Sequence, residues 1–338
     1  MIIDALKILS SGKNLDFATT KEVMYQITEG KATEAQIASF LTALKMKGET
    51  VDEITACAEV MKEKCIKIKL PIENTLDIVG TGGDMSNTFN ISTTTAFVAA
   101  AGGVPVAKHG NKAFTSKSGA IDVLEALGIN VNKTPDDEIN LFKKLNVCFM
   151  HAHKHHPVMQ FATKVRKDLG FRTLFNILGP LTNPASATSQ LFGVYDEKLV
   201  NPLCKVISNL GVKNVLVVFG KDSIDEASLS SETVIAEGRN GNIKNYTITP
   251  EQFGFKRCQK SDITGGNASF NAQIIRDIFS GKLTDAKKDI IVLNSALAFY
   301  TFGKTNSINE GIEYAENIIK TGAAQRILDA YIQLSNEE

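Results

Sequence analysis

The sequence beyond Pro71 repeats one pattern: a short apolar run, in most cases closed by glycine, followed by a segment of helical character. The runs are TLDIVGTGG (75–83), GGVPVAKHG (102–110), NVCFMHA (146–152) and NVLVVFG (214–220). Continuous apolar runs are typical of strands buried on both faces, and their alternation with helices is typical of a parallel sheet covered by helices. We therefore predict an α/β fold with a mostly parallel sheet flanked by helices.

The first 70 residues follow a different pattern, with apolar residues at helical spacing and short turns between the segments. We predict that this part is helical. Capping boxes, in which a hydroxyl and a returning side chain satisfy backbone amides, predict three helix starts, at Thr19 with Glu22, Thr33 with Gln36 and Thr50 with Glu53.

The C-terminal third predicts further elements of both kinds. Two strands are expected near 231–248, and helices near 271–280, 286–303 and 307–334. Ser307 and Glu310 form a fourth capping box at the start of the last helix.

Length and composition bound the class of protein. A chain of 338 residues exceeds the size at which single cores stop growing, about 250–300 residues, so two domains are expected.

The 37 basic and 37 acidic residues cancel, so the chain has no overall electric field that would attract nucleic acid. We see no apolar run long enough to span a bilayer and no start resembling a signal peptide, and we predict a cytoplasmic protein without a membrane partner. Five cysteines without a CxxC pair indicate thiols rather than a disulfide framework or a structural zinc site.

Two glycine-marked loops follow predicted strands. In GTGGDMSNTFNIST (80–93), three glycines let backbone amides approach a ligand, and a helix starting near Ser92 offers amides to an anion. The loop is neither a GxGxxG dinucleotide motif nor a P-loop. KHGNKAFTSKSGA (108–120) is rich in donors and cations, as a polyanionic ligand requires. Considered alone, the first loop could be a glycine turn whose sole role is to let the strand and the helix pack. The second could be a solvated polar loop.

Two further segments carry candidate chemistry. Arg166 lies beside the apolar stretch FNILGPLTNP, where a guanidinium could bind the carboxylate of a small aromatic ligand, although a surface salt bridge is the commoner fate of an arginine. Asp225 and Glu226 follow the strand NVLVVFG and could hold magnesium, although adjacent acids are often only solvated. Because ligands bind at the carboxyl ends of strands in open α/β sheets, we expect these pieces to meet in one crevice.

These segments together resemble the anthranilate phosphoribosyltransferase family. The motifs GTGGD, TFNIST, KHGN, DVLEALG, RKDLGFRTLFNILGPLTNP and the acidic doublet Asp225–Glu226 occur in the order and approximate spacing of that family, over nearly the full length. The resemblance implies a helical domain over 1–70 with a returning segment at about 165–185, and an α/β domain over 71–164 and 186–338. It also implies a homodimer formed through the helical part. The implied reaction joins anthranilate to phosphoribosyl pyrophosphate, with Mg²⁺, and releases pyrophosphate in tryptophan biosynthesis.

The resemblance also implies a set of binding residues. Phosphoribosyl pyrophosphate would be bound by Gly80, Thr81, Gly82, Gly83, Asp84, Thr88, Asn90, Ser92, Thr93, Lys108 and Ser116. Anthranilate would be bound by Gly80, His109, Asn111, His156, Arg166 and Gly179. Magnesium would be held by Ser92, Asp225 and Glu226. No residue is assigned as a general base.

The chain departs from the family pattern at a few positions in the two loops and before the doublet. Met85 and Ser223 stand where glycine is common, Lys112 stands for an arginine, and Ala120–Ile121 stand for Ser-Ala. None of these changes removes an implied ligand-binding residue, but they bear on the geometry of the loops.

Four of the five histidines lie in HAHKHH (151–156). On the resemblance only His156 corresponds to a functional position. His151 and His153 could chelate zinc, but no cysteine or acid is adjacent, and tetrahedral sites draw ligands from several elements.

Two other classes of protein are less consistent with the chain. A pyrimidine nucleoside phosphorylase would be longer and would carry a different signature after its lysine. A non-enzymatic nucleic-acid-binding relative would show a basic groove and lack the anthranilate contacts.

Overall fold

The structure is a computed structural model that describes residues 1–84, 86–113 and 117–337. The N-terminal part is helical as predicted, with α1 (Ile2–Ser10), α2 (Phe17–Thr28), α3 (Glu34–Lys47) and α4 (Val51–Glu63). Complete capping boxes at Thr33 and Thr50 confirm two predicted starts. The third prediction was wrong: Asp16 caps α2 and accepts from the Thr19 amide at 2.8 Å, because a carboxylate three residues upstream competes better than the threonine hydroxyl.

A seven-stranded sheet forms the centre of the rest of the molecule. Its strands in chain order are β1 (Leu76–Gly80), β2 (Val106–Gly110), β3 (Val147–His151), β4 (Ser189–Gly193), β5 (Asn214–Gly220), β6 (Thr233–Arg239) and β7 (Asn242–Ile248). The spatial order is β3-β2-β1-β4-β5-β6-β7. The first five strands are mutually parallel, and β6 and β7 are antiparallel to their neighbours, so the mostly parallel sheet is confirmed. The carboxyl ends of β2, β1, β4 and β5 therefore meet at one edge.

Helices connect and cover the strands. They are α5 (Ile91–Ala101), α6 (Ala120–Ala126), α7 (Pro135–Leu145), α8 (Ala152–His155), α9 (Gln160–Leu169), α10 (Phe175–Leu181), α11 (Val200–Asn209), α12 (Ala268–Phe279), α13 (Ala286–Phe302), α14 (Ile308–Lys320) and α15 (Ala323–Asn336). Short 3₁₀ turns lie at Pro157–Met159, Glu197–Leu199, Pro250–Phe253 and Lys260–Ile263. The predicted helix 307–334 is in fact two, because the chain turns at Gly322 with φ 68°. Ser307 caps the first of them, but Glu310 reaches the Asn306 amide rather than closing a box.

Two large cores lie on opposite faces of the sheet. On one face, the α5 residue Phe97 packs against Phe149 and Tyr331 in a group of tilted and edge-on rings. On the other face, the N-terminal helices, α9, α10 and α11 share a single core in which Phe40 and Leu178 belong with the strand residue Phe192. The returning helices contact the N-terminal ones, α9 against α3 and α10 against α4. The domain division itself stays a prediction. None of the helices in the described ranges is long and apolar enough to cross a membrane.

Candidate active site

The turn after β1, residues 80–84 (the glycine turn), meets the acidic doublet at the carboxyl edge of the sheet. The Gly82 amide donates to Asp225 Oδ2 at 2.7 Å, and the Asp225 amide lies 3.4 Å from Asp84 Oδ2. Ligand oxygens of Asp84, Asp225 and Glu226 all lie within 4.8 Å of one another. The structure thus brings together two segments that are 143 residues apart, and it adds Asp84 to the predicted doublet. We call these three residues the acidic cluster.

Glycine is required where the strands approach the acidic cluster. A Cβ on Gly193 would lie 1.5 Å from the Asp225 carbonyl oxygen, and a Cβ on Gly80 would lie 2.3 Å from Asp225 Oδ2. Because β1 and β4 pair Gly80 with Gly193, the two glycines leave one gap that Asp225 fills, with its carbonyl oxygen against Gly193 and its carboxylate against Gly80. Gly82 and Gly83 also adopt positive φ, 63° and 70°, which side-chain-bearing residues rarely accept.

Burial disfavours the negative charge of the acidic cluster unless a cation compensates it. Burial, and then the neighbouring Asp84, raises the pKa of Asp225 to about 6. Burial, and then Asp225, raises the pKa of Glu226 well above its usual value. Glu226 Oε2 is buried without a hydrogen-bond partner among the described residues. Three convergent carboxylates with an unsatisfied oxygen fit a hard divalent cation such as Mg²⁺, which would compensate their charge.

Lys108 lies buried beneath the glycine turn at the end of β2. Its Nζ donates to the Ile78 carbonyl and to Ser92 Oγ, the latter at 3.2 Å. Burial lowers the pKa of Lys108 to about 8, an effect that Asp77, Glu226 and Asp225 partly oppose. Lys108 therefore connects β1 to the start of α5.

The first turn of α5 has free amides that an anion could bind. The Asn90 side chain does not cap this helix, because it is engaged with Ser118 and with Asn271 Nδ2 at 2.9 Å. The first-turn amides thus lack a side-chain cap, and Thr93 Oγ1 is buried without a partner among the described residues. Thr88 is held by a bridge to Thr264. Uncapped amides at a helix N-terminus are favourable ligands for phosphate.

The loop that follows β2 is closed by one carboxylate. Asp122 accepts from the amides of Ala113 and Gly119, each at 2.8 Å, and so fixes both ends of the loop. Asn111 is exposed and its Oδ1 accepts from the Lys112 amide at 2.9 Å. Lys112 Nζ forms an ion pair with Glu125 at 2.9 Å, so this departure from the family pattern places a cation on the surface. The Ser116 and Met85 positions lie outside the described residues.

His109 and His156 form a neutral pair beside the crevice. Their ring centroids are 5.1 Å apart, and both side chains are buried. Burial, and then the other histidine rings, lowers the pKa of His109 well below its usual value, and burial lowers that of His156 to about 4. His156 Nε2 lies 3.4 Å from Thr182 Oγ1, while its Nδ1 and His109 Nε2 have no partner in the described part of the chain. Neutral rings with unused nitrogens can bind a small polar aromatic ligand.

The remaining anthranilate candidates come from α9 and α10. Arg166 is half-buried, its guanidinium carbon lies 5.9 Å from the centroid of the Phe175 ring, and burial lowers its pKa. A Cβ placed on Gly179 would meet no atom within 4 Å, so this glycine borders open space. The two residues belong to helices that pack against the N-terminal helices.

The other histidines of the 151–156 run have separate surroundings. The rings of His151 and His153 lie 6.1 Å apart, and within the described ranges the acidic cluster is the one group of three or more metal-ligating residues close enough to share an ion. His155 lies between two acceptors, with Nδ1 2.8 Å from the Ile66 carbonyl and Nε2 3.3 Å from Glu138. Burial alone would lower the pKa of His155, but the Glu138 carboxylate and the Ile66 carbonyl raise it above its usual value, since both favour the charged ring.

Several residues that hold the site in place carried no sequence signal for that role. Asn294 on α13 accepts from the Ala227 amide and donates to the Ala227 carbonyl, both at 3.0 Å, and so fixes the residue after Glu226. Ser223 adopts φ 71° just before the doublet, the conformation for which glycine is usual. Asn271 and Asp122 have comparable roles at the α5 turn and the β2 loop. Their partners are remote in sequence, or are backbone amides that any residue could supply, so no local pattern marks them.

The comparisons with known proteins all identify the same family. Residues 72–325 match the family described as glycosyl transferase family, a/b domain, and residues 3–65 match its helical bundle domain. The chain is 51% identical over 336 residues to an anthranilate phosphoribosyltransferase of Ruminiclostridium cellulolyticum, covering 99% of this chain and 98% of that protein. Its fold matches the crystal structure of anthranilate phosphoribosyltransferase from Thermus thermophilus with a TM-score of 0.93 and 37% identity, covering 99% and 100% of the two chains. The Saccharomyces cerevisiae enzyme in complex with PRPP and Mg matches with a TM-score of 0.90 and 29% identity, covering 99% and 97%.

Proposed function

The chain belongs to the glycosyl transferase family, among the anthranilate phosphoribosyltransferases, and we propose that it transfers the phosphoribosyl group of phosphoribosyl pyrophosphate to the amine of anthranilate in tryptophan biosynthesis. The observation that carries this proposal is the contact of the glycine turn with the acidic doublet, with Gly82 N and Asp225 Oδ2 2.7 Å apart. It creates a crevice in which amides, a helix N-terminus and carboxylates converge, as a metal-bound sugar diphosphate requires.

Mg²⁺ is the proposed cofactor. We assign Asp225, Glu226 and Ser92 as its ligands, and the position of Asp84 within 4.8 Å of the doublet supports a role for that carboxylate as well. The ion would neutralise negative charge that develops on the departing pyrophosphate. Lys108, which bonds Ser92 Oγ, holds that hydroxyl in a fixed orientation.

The diphosphate donor is assigned to the glycine turn and the start of α5. Amides of the glycine turn would bind the pyrophosphate, while Asn90, Ser92 and Thr93 would bind the 5-phosphate at the uncapped helix start. Thr88 and Lys108 border the same space. Ser116, assigned with them, lies outside the described residues.

Anthranilate is assigned to the region of the neutral histidine pair. Arg166 would bind its carboxylate, and His109, Asn111, His156, Gly80 and Gly179 would surround the ring and the amine. A guanidinium is suited to this role because its fork matches a carboxylate with two parallel hydrogen bonds. The neutral state of His109 and His156 avoids a competing positive charge beside the arginine.

The chemistry then depends on leaving-group stabilisation and on positioning. Breaking the bond between the anomeric carbon and pyrophosphate builds positive charge on the sugar and negative charge on the leaving group, which fixed donors stabilise. The aromatic amine is neutral near pH 7 and attacks before it loses its proton, so no strong base is demanded. Holding the amine in line with the anomeric carbon is then a main source of rate.

The non-enzymatic nucleic-acid-binding alternative has less support. The formal net charge is zero, and the acidic cluster that lines the crevice would repel a phosphate backbone in the absence of a divalent cation. The residues assigned to anthranilate are present.

A homodimer through the helical part is also proposed. α1 and α3 border an apolar groove, and Ile3 and Met46 beside it are 57% and 83% exposed. Large exposed apolar side chains along a groove favour burial against a second copy. The five cysteines are free thiols, which fits the reducing cytoplasm we propose as the site of action.

The test of the function is the loss of anthranilate fluorescence over time. Purified protein with anthranilate, phosphoribosyl pyrophosphate and Mg²⁺ is expected to consume anthranilate, and omission of any one component is expected to stop the reaction. Absence of consumption with all three components present would refute the proposal. Salt-sensitive binding of single-stranded nucleic acid without turnover would favour the alternative.

A further inference from the structure

We infer that Arg172 is a further substrate-binding residue, which binds the diphosphate of the sugar donor beside Gly83 of the glycine turn. The inference rests on the proposed function and names a residue to which neither the sequence motifs nor the family resemblance assigned a role. Arg172 belongs to the short connection between α9 and α10, so it would bring the helical side of the molecule into contact with the donor.

The Arg172 guanidinium lies directly against Gly83. The position of a Cβ on Gly83 is 3.1 Å from Arg172 Nε and 3.3 Å from Nη2. A side chain at residue 83 would therefore crowd the guanidinium, in addition to the strain of φ 70°. The second glycine of this pair thus does more than permit the turn: it makes room for a cation.

An aromatic ring fixes the orientation of this cation. The guanidinium carbon lies 4.3 Å from the centroid of the Tyr195 ring. The Tyr195 backbone amide donates to Thr81 Oγ1 at 3.1 Å, so the backbone that carries this ring is bonded to the glycine turn. At this distance the ring attracts the guanidinium charge and limits its motion, which keeps the N–H groups beside the turn.

Those N–H groups have no acceptor in the described part of the protein. Among the described residues Arg172 makes no hydrogen bond and no ion pair, although a guanidinium offers five donors. Lys108 differs, because its Nζ is already bonded to Ile78 and Ser92. A half-buried, oriented guanidinium with unused donors, set against the turn assigned to the diphosphate, fits phosphate oxygens in charge and in hydrogen-bonding capacity.

The carboxylate of anthranilate is the competing partner for Arg172. The contacts favour the diphosphate, because Arg172 lies against Gly83 and against the ring of Tyr195, whose backbone amide bonds Thr81; Gly83 and Thr81 both belong to the turn assigned to the diphosphate. Arg166, by comparison, is associated with Phe175 on α10.

The experiment compares Arg172→Met and Arg172→Lys with the control Lys164→Met, which removes a cation on α9 that pairs with Glu34 on the surface. Titration calorimetry with Mg²⁺ and inorganic pyrophosphate gives the affinity directly, and initial rates give the KM for each substrate. Loss of charge-assisted hydrogen bonds predicts that Arg172→Met weakens pyrophosphate binding and raises the KM for phosphoribosyl pyrophosphate by about 10- to 100-fold. Arg172→Lys is expected to recover only part of this loss, because a lysine keeps the charge but not the fork.

The KM for anthranilate should stay near the wild-type value in all three proteins, and the control should match wild type throughout. Unchanged pyrophosphate affinity in Arg172→Met would overturn the inference, as would a selective rise in the KM for anthranilate. Thermal unfolding of each variant, with Arg172→Lys as the milder change, separates a binding defect from misfolding. A wild-type protein without turnover would refute the proposed function instead, since the inference concerns only the variants' affinity relative to wild type.

Discussion

Gly193→Ala is expected to disable the site without changing any group that contacts a substrate. Gly193 ends β4, and its added Cβ would lie 1.5 Å from the Asp225 carbonyl oxygen, about 2 Å short of ordinary van der Waals contact. The obstructing atom is backbone, so no rotamer change can relieve the clash. The Asp225 segment or the end of β4 must move by a comparable distance.

A displacement of this size breaks the contacts that define the acidic cluster. The bond from the Gly82 amide to Asp225 Oδ2 is 2.7 Å long and would not survive a shift of that order. Misplacement of a catalytic constellation by 1 Å costs about 100-fold in rate, so kcat/KM is expected to fall by at least about 100-fold. Overpacking should also lower the free energy of unfolding by about 1–3 kcal/mol.

Gly238→Ala is the matched control for the effect on stability. Its added Cβ meets only side chains, with Val215 Cγ1 at 2.6 Å, so it overpacks β6 away from the acidic cluster. Urea unfolding should show a loss of stability in both variants, while the anthranilate fluorescence assay at saturating Mg²⁺ should show near wild-type turnover in Gly238→Ala alone. Wild-type kcat/KM and unchanged Mg²⁺ dependence in Gly193→Ala would refute the reasoning.

Three further predictions concern the substrate contacts, the acidic cluster and the buried His155–Glu138 pair. Arg166→Ala is expected to raise the KM for anthranilate by about 10- to 100-fold, the worth of hydrogen bonds to a charged group, with little change for phosphoribosyl pyrophosphate; equal losses in initial-rate measurements would count against the assignment. Asp225→Asn combined with Glu226→Gln should abolish turnover, because the proposed metal ligands are lost, and full Mg²⁺-dependent activity would remove both residues from the metal site. Glu138→Gln should destabilise the fold more at low pH than at high pH. The pKa of His155 is raised in the folded state, so its pairing with Glu138 stabilises the folded protein fully below pH 6.5, the usual pKa of histidine. This stabilisation is lost as the pH rises through the raised pKa. Equal losses of unfolding free energy in urea at about pH 5.5 and about pH 8.5 would contradict this reading.

The elements that carry a local pattern were predictable from the sequence. The runs that became β1, β2, β3 and β5 are mostly apolar, and their parallel pairing follows from the helices between them. Because parallel strands share one carboxyl edge, the sequence also predicted that the glycine turn and the doublet would meet there. The contact between Gly82 and Asp225 agrees with this expectation.

What escaped prediction depends on contacts between distant residues. β4 reads SQLFG, five residues with two polar ones at its start, too short and mixed for a periodic signal. Without β4, nothing indicates that Gly193 must lack a side chain or that Asp225 passes over it. The same holds for Asn271 and Asn294, which lie on α12 and α13 and bond residues 181 and 67 positions away.

The charges of the site explain why its parts must be held by remote residues. Burial and mutual repulsion raise the pKa values of Asp225 and Glu226, so the metal-free cluster pushes its own members apart or retains protons. The two hydrogen bonds between Asn294 and Ala227, and the close fit of Asp225 against Gly193, hold the carboxylates in place against that repulsion without adding charge. A cation that binds there meets carboxylates already gathered, so the cost of assembling them is met during folding rather than during catalysis. Substitutions at these remote positions should therefore alter the concentration of Mg²⁺ needed for activity before they alter the substrate contacts.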